Sequence, residues 1–234
     1  LIKNTEIKKQ KAMILSLKKQ INAHFTVNIL NIIRILVTKK ELERAAALCD
    51  GLSTLVRYAH DEDEFINAWD EFAVLEVYIN IMNIRYDNKF DFDFDLDDRL
   101  MDYEMPRMLL QPIVENSVVH GYRNYKNKCR INISASLEEN QICILIRDQG
   151  EGITAEQLAA LNEQLKNQDQ EKEFVGGIEN VALININRRI KYYYGRNYGL
   201  SLGAAAPHGL EVGVTIGKYP LNRSKPEEDL TKKT

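Results

Sequence analysis

The chain has 234 residues, with 31 basic against 34 acidic side chains, a net charge of -3 and 44% hydrophobic residues, a composition that excludes wholesale disorder and collagen-like repeats. Its lysines are scattered, so no basic face offers itself to a run of phosphates, and nucleic acid is not an expected partner. Cys49, Cys129 and Cys143 form no CxxC pair and have no interleaved histidine, which predicts reduced thiols rather than disulfides or a zinc site.

From Leu1 to about Val37 there is neither Pro nor Gly, and Ile7, Ile14, Leu17, Ile21, Phe25, Ile32 and Leu36 recur at three- and four-residue steps. That spacing predicts a long amphipathic helix. It begins at Leu1 without an initiator Met, so a longer parent protein is expected, with membrane contact only through an upstream segment absent from this chain. No stretch approaches the roughly 20 apolar residues that a span needs. A polar break at Thr38 to Lys40 leads to a second helix with Leu42, Ala45, Leu48, Leu52 and Leu55 on one side. An antiparallel hairpin cannot cover both of its apolar stripes, which predicts a homodimer built on a four-helix bundle.

The texture changes after the acidic run Asp61 to Glu64, giving expected domains at 1–60, 61–220 and a charged, disordered tail at 221–234. The second of these should fold without the first. Glu71 to Tyr86 reads as a helix. Lys89 to Asp97 alternates Phe90, Phe92, Phe94 and Leu96 with four aspartates, a half-buried strand with a solvated acidic face rather than a calcium site. Pro106 to His120 reads as one helix, Arg130 to Leu137 and Gln141 to Arg147 as a hairpin, Ala182 to Tyr194 as a helix, and Tyr198 to Leu202 and Leu210 to Gly217 as closing strands. The expected class is α+β. The polar stretch between Thr154 and Glu179 reads as a mobile lid whose part around Leu158 to Leu165 is a short helix.

Three places carry candidate chemistry. His24 lies in LKKQINAHFTVNILN on the flank of the first helix's apolar stripe, and Asn28 follows one turn on, on the same face. QPIVENSVVHG (111–121) sets Glu115, Asn116 and His120 along adjoining helix faces, where oxygen donors suit a magnesium ion shared with substrate phosphates. RDQGEGI (147–153) ends an apolar strand at Asp148 and turns through Gly150 and Gly152, which ordinary turn chemistry also explains. His60 and His208 read as structural or incidental.

With their surroundings, these segments resemble the cytoplasmic kinase core of LytS/YesM-type bacterial sensor histidine kinases, from about Leu17 to Gly217. QINAHFTVN matches the family's QINPHFLFN, LVRYA its LRY-like element, and INIMNIRY and MPRMLLQPIVEN the stretches leading into the nucleotide site. The resemblance implies a helical hairpin followed by an α/β sandwich of GHKL/Bergerat ATPase type. It implies His24 as phosphoacceptor, with Asn28 and Glu115 as further catalytic candidates. Asn116 is implied as magnesium ligand, with His120 near the phosphates. Asp148 is implied as acceptor for the adenine amino group, and Gly150 and Gly152 as the flexible pocket edge. NVALININRRIKYYYG matches the box after the lid, with Asn185 and Arg189 at its recurring positions, and Gly176 and Gly177 precede a helix whose N–H groups face phosphates.

The implied activity is ATP- and Mg2+-dependent autophosphorylation on His24 and transfer to a response regulator, within the cytoplasmic portion of a membrane sensor. Ala23 stands where the family has proline, Val119 where it often has lysine, Gln149 where Asn is common, and Asn180 and Ala182 where glycines recur. A degenerate nucleotide-binding module is the alternative that these departures leave open.

Overall fold

The computed structural model describes residues 23–122, 128–166 and 181–221, and for Ala23, His24, His120, Gly121 and Val181 the backbone only. Helix α1 (Ala23–Thr38) and helix α2 (Leu42–His60) form the expected hairpin. The chain reverses at Lys40, whose φ is +62°, and the Glu41 N–H returns to the Leu36 carbonyl at 2.9 Å, satisfying the carbonyls at the end of α1. Phe25, Ile29 and Leu36 of α1 are buried, as are Ala45, Leu48, Leu52 and Leu55 of α2.

The hairpin rests on helix α3 (Ala68–Arg85). Phe25 stacks on Tyr78, and Arg44 donates to the Ile84 carbonyl at 3.0 Å. The apolar core therefore runs unbroken from Phe25 through Leu48, Leu75 and Tyr78 into the sheet. Ile81 of α3 lies against Gly51 of the hairpin, and Leu75, Ile81 and Met82 are buried in this same core. Asn67 caps α3 by accepting the Trp69 N–H, so the helix starts three residues before the expected Glu71.

A two-stranded ribbon absent from the sequence reading pairs β1 (Phe65–Asn67) with β3 (Glu104–Pro106), Phe65 opposite Pro106. The main sheet holds β2 (Phe90–Leu96), β4 (Cys129–Leu137), β5 (Gln141–Asp148), β6 (Gly199–Ala204) and β7 (Leu210–Gly217) in the order β2-β4-β5-β7-β6. Only the β2–β4 ladder is parallel, which requires the crossover through β3 and the following helix. In β2 Phe90 is buried and its aspartates face water, where Asp91 meets Arg130 at 3.3 Å and Asp93 accepts from Asn132 at 3.2 Å.

Helix α4 (Gln111–Asn116) continues as a π-turn over Ser117–Gly121. It does not start at Pro106 as the sequence suggested. Pro106 ends β3, Met108 has φ +57°, and the N–H groups of Met108, Leu109 and Leu110 are all taken by Glu71, so no helical turn forms before Leu110. Helix α5 (Ala155–Lys166) is longer than the expected Leu158 to Leu165, and helix α6 (Val181–Tyr194) matches the expected Ala182 to Tyr194 within a residue. β6 begins one residue after the expected Tyr198 and extends to Ala204. The helices cover one face of the sheet, and no described helix is long and apolar enough to cross a membrane.

Candidate nucleotide and phosphoacceptor site

Asp148 ends β5 on the same face as Ile142, Ile144 and Ile146, the face covered by helices, and is 2% exposed. Its Oδ1 accepts the N–H groups of Gly150 (2.9 Å) and Leu210 (3.1 Å), and the Ser117 hydroxyl bonds the carboxylate. Burial raises its pKa above the ordinary carboxylate value, and these donors pull the other way. Through Ser117 the acid at the strand end meets the end of α4, one residue beyond Asn116. Ser117 is a partner of the acid that the sequence reading missed.

Two glycines make this approach feasible. Gly152 has φ +70°, and a Cβ there would stand 3.1 Å from the Gly209 carbonyl oxygen; Gly209 has φ +114°, and its Cβ would fall 2.0 Å from the Asp148 carbonyl oxygen. Gly209 was not singled out from sequence, since the glycine's meaning depends on a strand about sixty residues earlier. His208 beside it donates from Nδ1 to the Gly150 carbonyl at 2.9 Å, which places at the rim of the site a histidine that the sequence reading set aside. The Tyr122 hydroxyl completes the frame, donating to the Arg130 carbonyl (2.6 Å) and accepting the Gln149 N–H (2.8 Å).

Glu115 and Asn116 are half-buried at the end of α4. Burial raises the Glu115 carboxyl, and Arg85 nearby opposes that shift. Asn185 is half-buried on α6. Arg189, 8% exposed, donates from Nη1 to the Met108 carbonyl at 3.4 Å, in the turn before α4, and lies over the Tyr193 ring of its own helix at 5.9 Å. Asn187, unremarked in the sequence, is fully buried, donating to the Leu165 carbonyl (2.8 Å) and accepting the Leu200 N–H (2.8 Å). It pins the end of α5 to α6 and β6.

His24 occupies the first turn of the described α1, with its side chain outside the described residues; Asn28, one turn on, is half-buried. The side chain of His120 and the whole of Gly176 and Gly177 also lie outside the described residues, as do segments 123–127 and 167–180 flanking the site. The two grooves of about 480 and 390 Å³ are on the open face of the sheet, lined by residues such as Asp95, Ser134, Arg147 and Gly213. The smaller groove reaches the end of β5, where Asp148 and Gln149 form part of its lining. No cluster of three metal-ligating acids, histidines or cysteines occurs among the described residues. The donors present, one amide oxygen at Asn116 beside the Glu115 carboxyl, fit a magnesium ion that keeps most of its waters and shares phosphate oxygens, and not an all-protein cage.

Residues 12–90 match the histidine kinase family model, and residues 101–216 match that of the histidine kinase-, DNA gyrase B- and HSP90-like ATPases. The sensor histidine kinase YesM of Bacillus subtilis is 27% identical over 92% of this chain and 34% of its own length. The sensor protein LytS of Staphylococcus epidermidis is 28% identical over 97% of this chain and 36% of its own length. The sensor histidine kinase YpdA of Escherichia coli is 30% identical over 92% of this chain and 35% of its own length. The chain thus spans about a third of the length of these relatives.

Proposed function

This chain belongs to the histidine kinase family, and from that premise we propose that it is the ATP-dependent core of a two-component sensor, phosphorylating itself on His24 and passing the phosphoryl group to an aspartate of a response regulator. The observation that carries the reading is the buried Asp148 at the end of an apolar strand, joined through Ser117 to the helix of Glu115 and Asn116. A carboxylate there accepts the exocyclic N–H of adenine and discriminates against guanine, which presents a carbonyl at that place. Asn116 would hold Mg2+, which supplies charge neutralisation on the phosphate oxygens. His120, Asn185, Arg189 and the glycines 150, 152, 176 and 177 are proposed as the remaining edge of the nucleotide site.

Neutral imidazole, with a reference pKa of about 6.5, is the nucleophile at neutral pH. One ring nitrogen of His24 bonds the γ-phosphorus as the bond to the β,γ-bridging oxygen breaks. ADP leaves with that electron pair, and the other ring nitrogen releases its proton. Glu115, half-buried next to Asn116 at the end of α4, is proposed as a further catalytic residue. Asn28 is proposed to act on the phosphorylated partner rather than on ATP.

The outer face of α1 supports a homodimer. Val27, Leu30 and Val37 are each about half exposed along the side away from the buried Phe25, Ile29 and Leu36, and a second hairpin would cover them. We place this chain in the cytoplasmic portion of a membrane sensor, with residues 1–60 as the phosphoacceptor unit, 61–220 as the nucleotide unit and 221–234 as a tail. The testing experiment is incubation with labelled ATP and Mg2+. Acid-labile, base-stable phosphate is the expected product, lost in His24→Gln with ATP binding kept; phosphate retained in that variant would overturn the assignment of His24.

A further inference from the structure

The turn between β3 and α4 is held from three sides. Glu71, 2% exposed in the first turn of α3, is a carboxylate with all its capacity committed. Its Oε1 accepts the Leu109 (2.8 Å) and Leu110 (3.1 Å) N–H groups, and its Oε2 accepts the Met108 N–H (2.9 Å) and the Tyr58 hydroxyl. Leu110 in turn accepts the first N–H bonds of α4, from Ile113 (3.0 Å) and Val114 (3.1 Å). Glu71 therefore fixes both the left-handed Met108 and the point from which α4 starts, and α4 carries Glu115 and Asn116 one to two turns on.

Tyr58 belongs to the last turn of α2, at the far end of the hairpin. Burial and the Glu71 charge push its phenol well above the usual tyrosine range, so it stays a donor to that carboxylate. Arg107 closes the ring. Its guanidinium lies over the Tyr58 ring at 4.7 Å, donates to the Tyr58 (3.3 Å) and Asp63 (3.0 Å) carbonyls and pairs with Asp61 at 3.1 Å. Its backbone N–H reaches the Glu64 carbonyl at 3.1 Å. The third side is Arg189 of α6 on the Met108 carbonyl.

We propose that Tyr58, Glu71 and Arg107 are positioning residues that transmit the orientation of the end of the hairpin to the start of α4, and so set Glu115 and Asn116 relative to the nucleotide. A purely structural carboxylate would need only backbone donors. Here the fourth donor comes from the hairpin, so a tilt or rotation at the end of α2 pulls directly on the group that starts α4. The node is buried and its bonds are charge-assisted, so displacement of Tyr58 without movement of the turn would leave part of the carboxylate unsatisfied. The coupling is reciprocal: a ligand that fixes α4 also restrains the end of α2. This inference rests on the nucleotide site proposed above.

Tyr58→Phe keeps the ring and removes only the hydroxyl, and Arg107→Lys keeps the charge and removes the fork. Amide hydrogen exchange on the parent chain with and without a non-hydrolysable Mg2+–ATP analogue should show slowed exchange at residues 113–118 and at 55–60. In both variants the protection at 113–118 should persist and that at 55–60 should vanish. Their kcat for autophosphorylation should fall about tenfold, with KM for ATP within about twofold, the size of an ordinary coupling between sites. Nucleotide protection in the parent chain that never reaches 55–60, or variants with unchanged kcat and unchanged protection, would overturn the coupling. A parent chain with no nucleotide protection around Asp148 would instead overturn the nucleotide reading on which it rests.

Discussion

Asp148 is the residue at which stability and function pull apart. Because burial raises its carboxyl, ionising it costs the folded state. That cost is absent where the group is protonated both folded and unfolded, appears as pH rises from the ordinary carboxylate value through the raised one, and is present in full above the raised value. Asp148→Asn should therefore melt no lower than the parent at pH 7, with the difference shrinking as pH falls into the carboxylate range. If Asp148 is the charged partner of the adenine donor proposed above, the same change should weaken ATP binding by about 1–3 kcal/mol in calorimetry. Gly209→Ala tests the frame around it: the added Cβ meets the Asp148 backbone at 2.0 Å and demands φ +114°, so a loss of about 1–3 kcal/mol in chemical denaturation is expected, together with weaker nucleotide binding. For Asn28→Ala the expectation is changed phosphotransfer or regulator dephosphorylation at unaltered ATP affinity, read from time courses with a response regulator. Asp148, Gly150 and Gly152 stood out in the sequence because strand, acid and turn are adjacent there. Ser117, Gly209 and Glu71 did not, because each takes its meaning from atoms far along the chain. Glu71 looks like a surface carboxylate on a helix until its N–H partners, 37 to 39 residues later, come into place.

The elements were legible wherever the signal is local. The alternation of Phe and Asp fixes β2, the spacing of Leu48, Leu52 and Leu55 fixes the inner face of α2, and the Glu138 to Asn140 break fixes the β4–β5 hairpin. The ribbon β1–β3 was invisible, since three residues on each side give no period and the pairing of Phe65 with Pro106 is long-range. For the same reason Pro106 to Leu110 reads as the beginning of a helix: the sequence does not show that Glu71 has taken its N–H groups. The packing of the hairpin on α3 sets a further test at this scale. Leu48 is fully buried between these helices' apolar faces, and Leu48→Ala should cost about 2–5 kcal/mol in chemical denaturation. A cost near zero would show the hairpin to be loosely attached to α3.

At the scale of the whole molecule, one core joins the N-terminal hairpin to the main sheet through α3, and the family model matching 12–90 spans that same junction. The half-exposed Val27, Leu30 and Val37 leave α1 with an outer apolar side that a second copy would bury, close to His24 in the same helix. In the proposed function, phosphoryl transfer joins the first turn of α1 to the end of α4. The most direct measurement is phosphate mapping after incubation of the chain with labelled ATP and Mg2+. Phosphate on His24, acid-labile and base-stable, absent from His24→Gln and strongly reduced in Asp148→Asn, is the predicted result. Nucleotide binding with no phosphate on His24, or phosphate that survives in His24→Gln, would contradict it.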